Sequence, residues 1–395
     1  MIAIKILLGL IGLGVVVFVH ELGHFLAARL CGIDVEAFSI GWGKPILRKK
    51  IGTVEYRLGL FPLGGYCKMR GDGDYEEFWN NKKDGIDPSP GSFFAAQPWK
   101  RIIAVFAGPL FNFIFAIIVL SVIWGRGIEI KTWENKIVLL ADIDGQSYPS
   151  DKGGLLSGDR IIAINGKEIT AYRDIQEHIA LNPDKDIPIT VNRNGEHLFL
   201  TVHSSLDKTG MGKIGIYPWT TPLIQAIQSG RALQPAEITE LLGDPTIQYK
   251  TPTLSPIAAF ASGGSEAAKT FAIIVKSMGL LFNKGIDLTQ AVSGPVRITY
   301  MIGDIAAGGF EQNAVTGFLA ALNFLALISI ALCMMNLLPL PIIDGGMIIL
   351  YMVEMLTRRP IHPKAVSVFQ TAGFAIIFCL MIFAFFNDIL FFVSR

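Results

Sequence analysis

Hydrophobic residues form four stretches in this chain, each long enough to cross a lipid bilayer as a helix. A spanning helix needs about 20 consecutive, mostly apolar residues. The stretches occupy residues 1–31, 102–124, 315–346 and 366–393, and the third ends in a turn that contains Asp-Gly-Gly. This pattern predicts a polytopic α-helical membrane protein with four transmembrane helices.

Residues 127–220 follow a different pattern, in which short strand-like runs alternate with turn signals. The dipeptides Asn165-Gly166 and Asn194-Gly195 are typical of tight hairpin turns, and a helical run lies between them at residues 172–182. The region therefore predicts one β-rich domain between the second and third spans.

Three further segments connect these regions. Residues 36–70 alternate apolar and polar positions around Gly and Pro, which predicts a membrane-associated β-hairpin region, with a merely structural cytoplasmic hairpin as the alternative. Residues 221–262 are rich in Pro, Thr, Gly and Ser without a clear period, which predicts a linker or lid of unknown conformation. Residues 265–282 predict an amphipathic helix at the membrane surface, since charged residues interrupt the apolar run.

Composition agrees with a membrane protein. Hydrophobic residues make up 51% of the 395 residues and charged residues only 17%, with a formal net charge of +1. No block of like charge is present, so a nucleic-acid partner is not expected and the lipid bilayer is. The four cysteines stand singly, which indicates neither a disulfide framework nor a cysteine zinc site.

Basic residues near the ends of the spans predict the orientation of the chain. Cytoplasmic loops of membrane proteins carry an excess of Lys and Arg. Between the first two spans lie Arg29, Lys44, Arg48, Lys49, Lys50, Lys82, Lys83, Lys100 and Arg101, and between the last two lie Arg358, Arg359 and Lys364. Both loops are therefore predicted to be cytoplasmic, and both termini and the stretch 125–314 to be extracytoplasmic.

Two histidines and a glutamate stand inside the first apolar stretch, in the motif HELGH. His20 and His24 are four positions apart, so on a helix their rings project from one face and can bind the same ion. Glu21 is placed to take a proton from an attacking water, whose pKa zinc lowers to near 7. An ionisable residue at mid-bilayer costs roughly 2.5 kcal/mol or more, so three in five positions need compensation. Zinc binding would offset this cost for the histidines. The alternative is that these residues form a proton relay or pair with polar groups of neighbouring helices.

A third zinc ligand is predicted after the third span. A catalytic zinc usually has three protein ligands and one open position. In NLLPLPIIDGG, residues 336–346, the prolines break the helix and the glycines let the backbone turn, so Asp344 is carried on irregular chain at membrane depth. Such backbone is tolerated beside protein or a water-filled cavity. A cap for the following helix is the alternative role of Asp344.

Four motifs in the chain together resemble the site-2 protease family of intramembrane zinc metalloproteases. They are HELGH in the first span, GPLFN at residues 108–112, NLLPLPIIDGG, and PLGGYCKM at residues 62–69. The resemblance is to the bacterial branch in which a PDZ region lies between the second and third spans. It covers most of the chain except residues 221–262, and Ile343 stands where the family normally has Leu.

The resemblance implies roles for individual residues. His20, His24 and Asp344 would bind zinc, and Glu21 would act as general base and acid. Asn336 would help to hold the substrate backbone. Asn112 is predicted to contact the substrate, with an interhelical hydrogen bond as its alternative role.

The β-rich region resembles one extracytoplasmic PDZ domain. The resemblance rests on GGLLSGDRIIAINGKEI, residues 153–169, and on a loop similar to the carboxylate-binding loop of bacterial PDZ domains. Such a loop offers backbone N–H groups to a terminal carboxylate while a strand edge pairs with the peptide. Its predicted binding residues are Gly212, Lys213, Ile214, Gly215 and Ile216. The alternative is an ordinary β-rich domain that binds no ligand. Close relatives in this branch often carry two PDZ domains, whereas the sequence of this chain indicates one.

The family resemblance also implies a location and substrates. It implies a multi-pass protease of the bacterial cytoplasmic (inner) membrane that cleaves single-span membrane proteins, such as anti-sigma factors already trimmed outside or signal-peptide remnants. The family places a membrane-re-entrant sheet at residues 36–70, whose strand edge is expected to pair with an unwound substrate. A non-catalytic PDZ scaffold and a proton-coupled transporter are the alternatives, although the paired broken-helix repeats of a transporter are not visible.

Overall fold

The computed structural model of the chain divides into two compact units. One unit contains Met1–Arg126, Leu254–Ile274 and Val292–Arg395, and the other contains Gly127–Thr253 and Val275–Ala291. Lys82 and Lys83, which the orientation prediction used, lie outside the described residues. The described residues are 2–73, 89–127, 129–207, 211–230, 233–251, 253–283, 294–312, 314–359 and 361–393.

The first unit begins with an apolar helix, a pair of long strands and a second apolar helix. Their bounds are α1 Ile2–Leu30, β1 Val35–Ile51, β2 Val54–Met69 and α2 Pro98–Arg126. Helices α1 and α2 approach closely, because a Cβ atom on Gly23 would lie only 2.3 Å from the carbonyl oxygen of Ala107. Small residues at a helix contact allow this approach, which brings the histidines of α1 against α2.

Strands β1 and β2 bend, so that the pair forms a sheet of four segments. Segment 45–51 pairs with 54–59, whereas segment 37–40 pairs with 55–58 on one side and with 65–68 on the other. Several glycines within the two strands have positive φ angles, which a residue with a side chain rarely adopts and which allow the bends. Many large apolar side chains of the sheet are exposed, as expected for a surface in contact with lipid.

Strands and short helices form the Gly127–Thr253 part of the second unit. In chain order they are β3 Glu129–Thr132, β4 Ile137–Leu139, α3 Ala141–Asp144, α4 Pro149–Lys152, β5 Arg160–Ile164, β6 Lys167–Glu168, α5 Tyr172–Ala180, β7 Asp186–Arg193, β8 Glu196–His203, β9 Ser205–Leu206, β10 Gly212–Lys213, β11 Ile216–Pro218, α6 Thr221–Gln228, α7 Pro235–Leu242 and β12 Ile247–Lys250. The largest sheet is antiparallel with the order β6-β5-β7-β8. Its core is aliphatic, and Ile161, Ile175 and Ile189 are almost completely buried there.

Five further helices follow in the described part of the chain. They are α8 Pro256–Asn283, α9 Pro295–Gln312, α10 Ala314–Asn336, α11 Asp344–Thr357 and α12 Pro363–Val393. By length and composition, four helical segments of the described residues can cross a membrane: Leu7–Leu30, Pro98–Arg126, Ala314–Asn336 and Ala365–Ile389. The prediction of four membrane-spanning helices is confirmed at this level.

The structure contains helices and a strand that the sequence analysis did not predict, before α8 and after it. Residues 221–262, predicted as a linker or lid, contain α6, α7 and β12, and β12 pairs with β3. The two helices have eight residues each, which is too short to show a helical period against the Pro and Thr around them. They pack into the protein through Leu223 and Ile238. Helix α8 is longer than the predicted segment 265–282, and the sequence did not indicate α9 at all.

Candidate metal centre

Helix α1 presents His20 and His24 on the same face. Four residues make just over one helical turn, so the two rings lie one above the other. Their centroids are 4.7 Å apart and their Nε2 atoms 3.1 Å apart. Both residues are almost buried, with exposed fractions of 9% and 8%.

Asp344 reaches this pair from the break between α10 and α11. Its Oδ2 lies 3.2 Å from His20 Nε2, and its Oδ1 lies 3.6 Å from His24 Nε2. The break is tight, because a Cβ on Gly346 would lie 2.0 Å from the carbonyl oxygen of Leu340. Ile342 has a φ angle of 78°, which is rare and strained for a β-branched residue. Strain of this kind persists where the surrounding structure holds it, often at functional sites.

The three side chains fit a zinc ion. Their ligand atoms all lie within 4.8 Å of one another, and no other such group of three occurs among the residues the structure describes. Tetrahedral ligands about 2.0–2.1 Å from zinc lie about 3.3 Å from each other, close to the separations of 3.1, 3.2 and 3.6 Å found here. Asp344 Oδ2 is also buried without a hydrogen-bond donor in the described part of the chain, as expected for an oxygen that faces a cation.

Helix α2 orients both imidazole rings. His24 Nδ1 donates a hydrogen bond to the carbonyl oxygen of Ala104 at 2.9 Å. The proton on Nδ1 leaves the lone pair on Nε2, the atom that faces Asp344. On the other ring, Asn112 Nδ2 lies 3.4 Å from His20 Nδ1, and the fully buried Asn112 Oδ1 has no partner among the described residues. A 180° flip of the Asn112 side-chain amide exchanges Nδ2 and Oδ1, so that Oδ1 accepts a hydrogen bond from the Nδ1 proton of His20. His20 then has the same tautomer as His24, with the proton on Nδ1 and the lone pair on Nε2.

Glu21 lies beside the cluster without being one of its three members. It follows His20 on α1, and the sheet packs against it: a Cβ on Gly65 of β2 would lie 3.3 Å from Cγ of Glu21. The glutamate therefore lies between the histidines and the 65–68 edge of the sheet. This is a suitable place for a proton acceptor beside a metal and a bound peptide.

Asn336 also lies near the cluster. It is the last residue of α10, partly buried, with Nδ2 3.5 Å from His20 Nε2. The structure thus brings together His20, Glu21, His24, Asn112, Asn336 and Asp344, all within the first unit.

The loop Gly212–Ile216 lies in the second unit, between β9 and the end of β11. Together with α5 it lines a cavity of about 290 Å³. The backbone N–H groups of Ile214 and Gly215 donate to no acceptor among the described residues. Gly215 has a φ angle of 82°, a conformation that favours glycine. Free N–H groups beside a cavity are what a carboxylate-binding loop requires.

Two contributors to the metal centre were missed by the sequence interpretation. Ala104 acts through its backbone carbonyl, which residue type does not reveal. Gly108 was assigned to a family motif without a role, yet a Cβ there would lie 2.3 Å from His24 Nε2. The signal for Gly108 was its place in GPLFN on an otherwise bulky apolar helix.

Comparisons with known proteins agree with this geometry. The sequence model of peptidase family M50 matches residues 8–380. A relative from Treponema pallidum is 34% identical over 446 residues, covering 98% of this chain and 99% of its own. Relatives from Rhizobium meliloti and Campylobacter jejuni are 30% and 31% identical, covering 95% and 98% of this chain and 94% of each relative. All three are named as zinc metalloproteases. With its ligand cluster between membrane-length helices, the chain belongs to peptidase family M50, the site-2 proteases, and is a membrane zinc metalloprotease.

Proposed function

We propose that this metalloprotease hydrolyses peptide bonds within or near the transmembrane segments of single-span membrane proteins. One observation carries the proposal. His20 and His24 lie inside an apolar helix of membrane-spanning length, and Asp344 lies beyond the short break that follows another such helix. A peptide bond that reaches this centre lies at membrane depth.

The chemistry follows from the positions of the chain's own groups. Zinc bound by His20, His24 and Asp344 would lower the pKa of water to near 7 and polarise a carbonyl. Glu21 accepts the proton of the attacking water and returns it to the leaving amine. Asn336 has a side-chain amide beside His20, where it can hydrogen-bond the backbone of the substrate.

The bent sheet supplies a place for the substrate backbone. A helical transmembrane segment shields its peptide bonds by its own hydrogen bonds, so it must unwind before cleavage. Pairing with a strand edge would replace the lost hydrogen bonds. The edge at residues 65–68 lies against Glu21, which favours it as the edge that receives the substrate.

The second unit would select substrates by their ends. The loop Gly212–Ile216, with its free N–H groups beside a cavity, is suited to a peptide carboxylate of the kind that prior trimming exposes. Anti-sigma factors trimmed outside and signal-peptide remnants are the substrates that suit this role.

The proposal also includes a location. The protein would lie in the bacterial inner membrane, with the PDZ-like unit and both termini extracytoplasmic.

Glu21→Gln tests the proposed chemistry. The glutamine keeps the size of the side chain but removes the base, so zinc should stay near one per chain. Cleavage of a single-span substrate in proteoliposomes should fall by at least about 10², the low end for general acid–base groups. Glu36→Gln, an exposed carboxylate on β1, is the matched control and should cleave normally. Near-normal cleavage by Glu21→Gln would refute the mechanism, and loss of zinc would make Glu21 a ligand.

Peptides with a free or an amidated C-terminus test the role of the second unit. If the loop binds a carboxylate, amidation should weaken peptide binding to the full-length protein by at least about tenfold, since hydrogen bonds to a charged group contribute about 1.5–3 kcal/mol. Equal binding of the two peptides would leave the unit without a carboxylate site.

A further inference from the structure

Helix α11, which begins at Asp344, carries a buried glutamate near its other end. Glu354 lies about 15 Å from Asp344 along the helix axis, since each residue adds 1.5 Å. Its carboxylate accepts two hydrogen bonds from Arg101 of α2, from Nη1 to Oε2 at 3.0 Å and from Nη2 to Oε1 at 2.7 Å. Arg101 Nε donates to the carbonyl oxygen of Ala96 at 3.0 Å, so the guanidinium group is fixed on both sides.

Arg101 lies on the face of α2 that also supports the histidines. Arg101, Ala104 and Gly108 are spaced by three and four residues, so they share one helix face. The carbonyl of Ala104 accepts the hydrogen bond from His24, and Gly108 lies against the same ring. One face of α2 therefore contacts the metal ligands of α1 and, further toward its N-terminus, binds α11 through Glu354.

Apolar contacts surround this ion pair. Tyr351, one helical turn before Glu354, is buried in the same apolar cluster as Ala104 and Val105, and the Arg101 Cζ atom lies 5.1 Å from the centre of its ring. Apolar contacts are non-directional. Two parallel N–H···O bonds to a carboxylate fix both distance and angle, so the ion pair determines the position of α11 along α2 more strictly than the apolar contacts do.

We propose that Arg101 and Glu354 form a positioning pair for the metal centre, which fixes α11 along α2 and so places the Asp344 carboxylate at the histidines. Residues 347–357 of α11 contain no Pro or Gly, the usual causes of a kink, so a shift at Glu354 is transmitted to Asp344. The distance of 3.2 Å from Asp344 Oδ2 to His20 Nε2 would change with that shift. The inference rests on the proposed role of Asp344 as a zinc ligand.

The first test measures zinc affinity by competition with a chelator, and the Tm of the metal-free protein, since bound zinc would itself raise the Tm. Glu354→Ala should weaken zinc binding at least about tenfold, the low end for substitutions around metal ligands. Arg101→Lys keeps the charge but not the two-pronged geometry of the guanidinium group. It should also weaken zinc binding, with a smaller loss of Tm. Unchanged zinc affinity in Glu354→Ala would overturn the proposal.

An apolar replacement of the whole pair separates positioning from stability. Arg101→Met combined with Glu354→Leu should recover much of the Tm, because replacing both members of a buried ion pair is often neutral. Zinc affinity should nevertheless stay at least about tenfold lower, since the apolar contact does not fix the position of α11. This variant carries the test if Glu354→Ala does not fold. Recovery of zinc affinity together with the Tm would show that the pair only stabilises the fold.

The matched control breaks a buried ion pair in the second unit. Asp159 is 1% exposed and accepts hydrogen bonds from Arg193 Nε and Nη2 at 2.7 and 2.8 Å. Asp159→Ala should lower stability, as Glu354→Ala does, but leave zinc affinity unchanged. A loss of zinc affinity as large as that of Glu354→Ala would reduce the effect to general destabilisation and overturn the positioning role.

A double-mutant cycle tests whether the pair acts through Asp344. The Arg101→Met/Glu354→Leu variant combined with Asp344→Ala should bind zinc about as tightly as Asp344→Ala alone, because coupled residues give non-additive effects. Additive losses would mean that the pair acts elsewhere, and the positioning role would be wrong. Unchanged zinc affinity in Asp344→Ala alone would exclude this ligand and overturn the proposed chemistry as well. A loss in Asp344→Ala with normal affinity in Glu354→Ala would overturn only the positioning role.

Discussion

Gly108 on α2 lies against the ring of His24 on α1, so closely that a Cβ atom at position 108 would stand 2.3 Å from His24 Nε2. The same atom would stand 2.9 Å from Cε1 of His20. Real Cβ atoms do not approach other atoms this closely, so the absence of a side chain at 108 is what lets α2 support both rings.

Gly108→Ala should therefore displace His24 and weaken zinc binding. We expect at least a tenfold loss of zinc affinity, comparable to the about 10–100-fold effects of substitutions around metal ligands, measured by competition with a chelator. Gly125→Ala on the same helix is the matched control, since its Cβ would make only an ordinary contact of 3.6 Å with Ala259. Unchanged zinc affinity in Gly108→Ala would show that the helices can separate at no cost to the site.

Asp344→Ala should lower zinc content and proteolysis together. The variant loses the carboxylate that lies 3.2 Å from His20 Nε2 and leaves two protein ligands for a metal that usually takes three. Asn336→Ala removes a neighbouring side chain that is not one of the three proposed ligands. This variant should keep zinc and raise KM, because Asn336 is proposed to hold the substrate backbone. Full zinc occupancy with normal turnover in Asp344→Ala would exclude Asp344 from the site.

We expect Asn112 to affect zinc binding by orienting the imidazole ring of His20. If its amide oxygen accepts the Nδ1 proton, Asn112→Leu should lower zinc affinity by about 10–100-fold, and Asn112→Asp, which keeps an acceptor, should restore most of it. The readout is zinc affinity of the purified protein, without substrate. An unchanged affinity combined with a raised KM would instead support the substrate contact predicted from the sequence.

The ion pair between Arg101 and Glu354 should contribute strongly to stability. Arg101 donates to both carboxylate oxygens, at 3.0 and 2.7 Å, and its side chain is only 3% exposed. Glu354→Ala leaves a buried charge without a partner, at a cost of about 3–5 kcal/mol, so the Tm in detergent should fall by several degrees.

Two controls separate this pair from surface charge. Glu36→Ala breaks the exposed pair with Lys68 and should change stability by less than about 1 kcal/mol. Arg101→Met combined with Glu354→Leu removes both charges and should recover much of the lost Tm, because hydrophobic replacement of a whole buried pair is often neutral. A Tm of the double variant as low as that of Glu354→Ala would point to lost packing instead of the uncompensated charge.

Local sequence patterns were sufficient for the spans and for the chemistry of the centre. A membrane helix is specified by a continuous apolar run, and all four runs appear as helices. Histidines four positions apart share a helix face whatever packs against it, and the prolines before Asp344 break α10 as their ring geometry requires. The roles of Glu21, Asn112, Asn336 and the loop Gly212–Ile216 stay predictions until substrate and metal are measured.

What the sequence by itself determined is the set of membrane helices, the histidine pair and the kind of ligand that completes it, because these depend on residue type and short spacing. Only the tertiary structure decided that Gly108 and the carbonyl of Ala104 fix His24, that residues 221–262 contain two short helices, a strand and the start of α8, and that Arg48 pairs with Arg57 in the sheet. These features arise from contacts between distant segments, backbone atoms that every residue shares, and bends in long strands, none of which leaves a periodic pattern in the sequence.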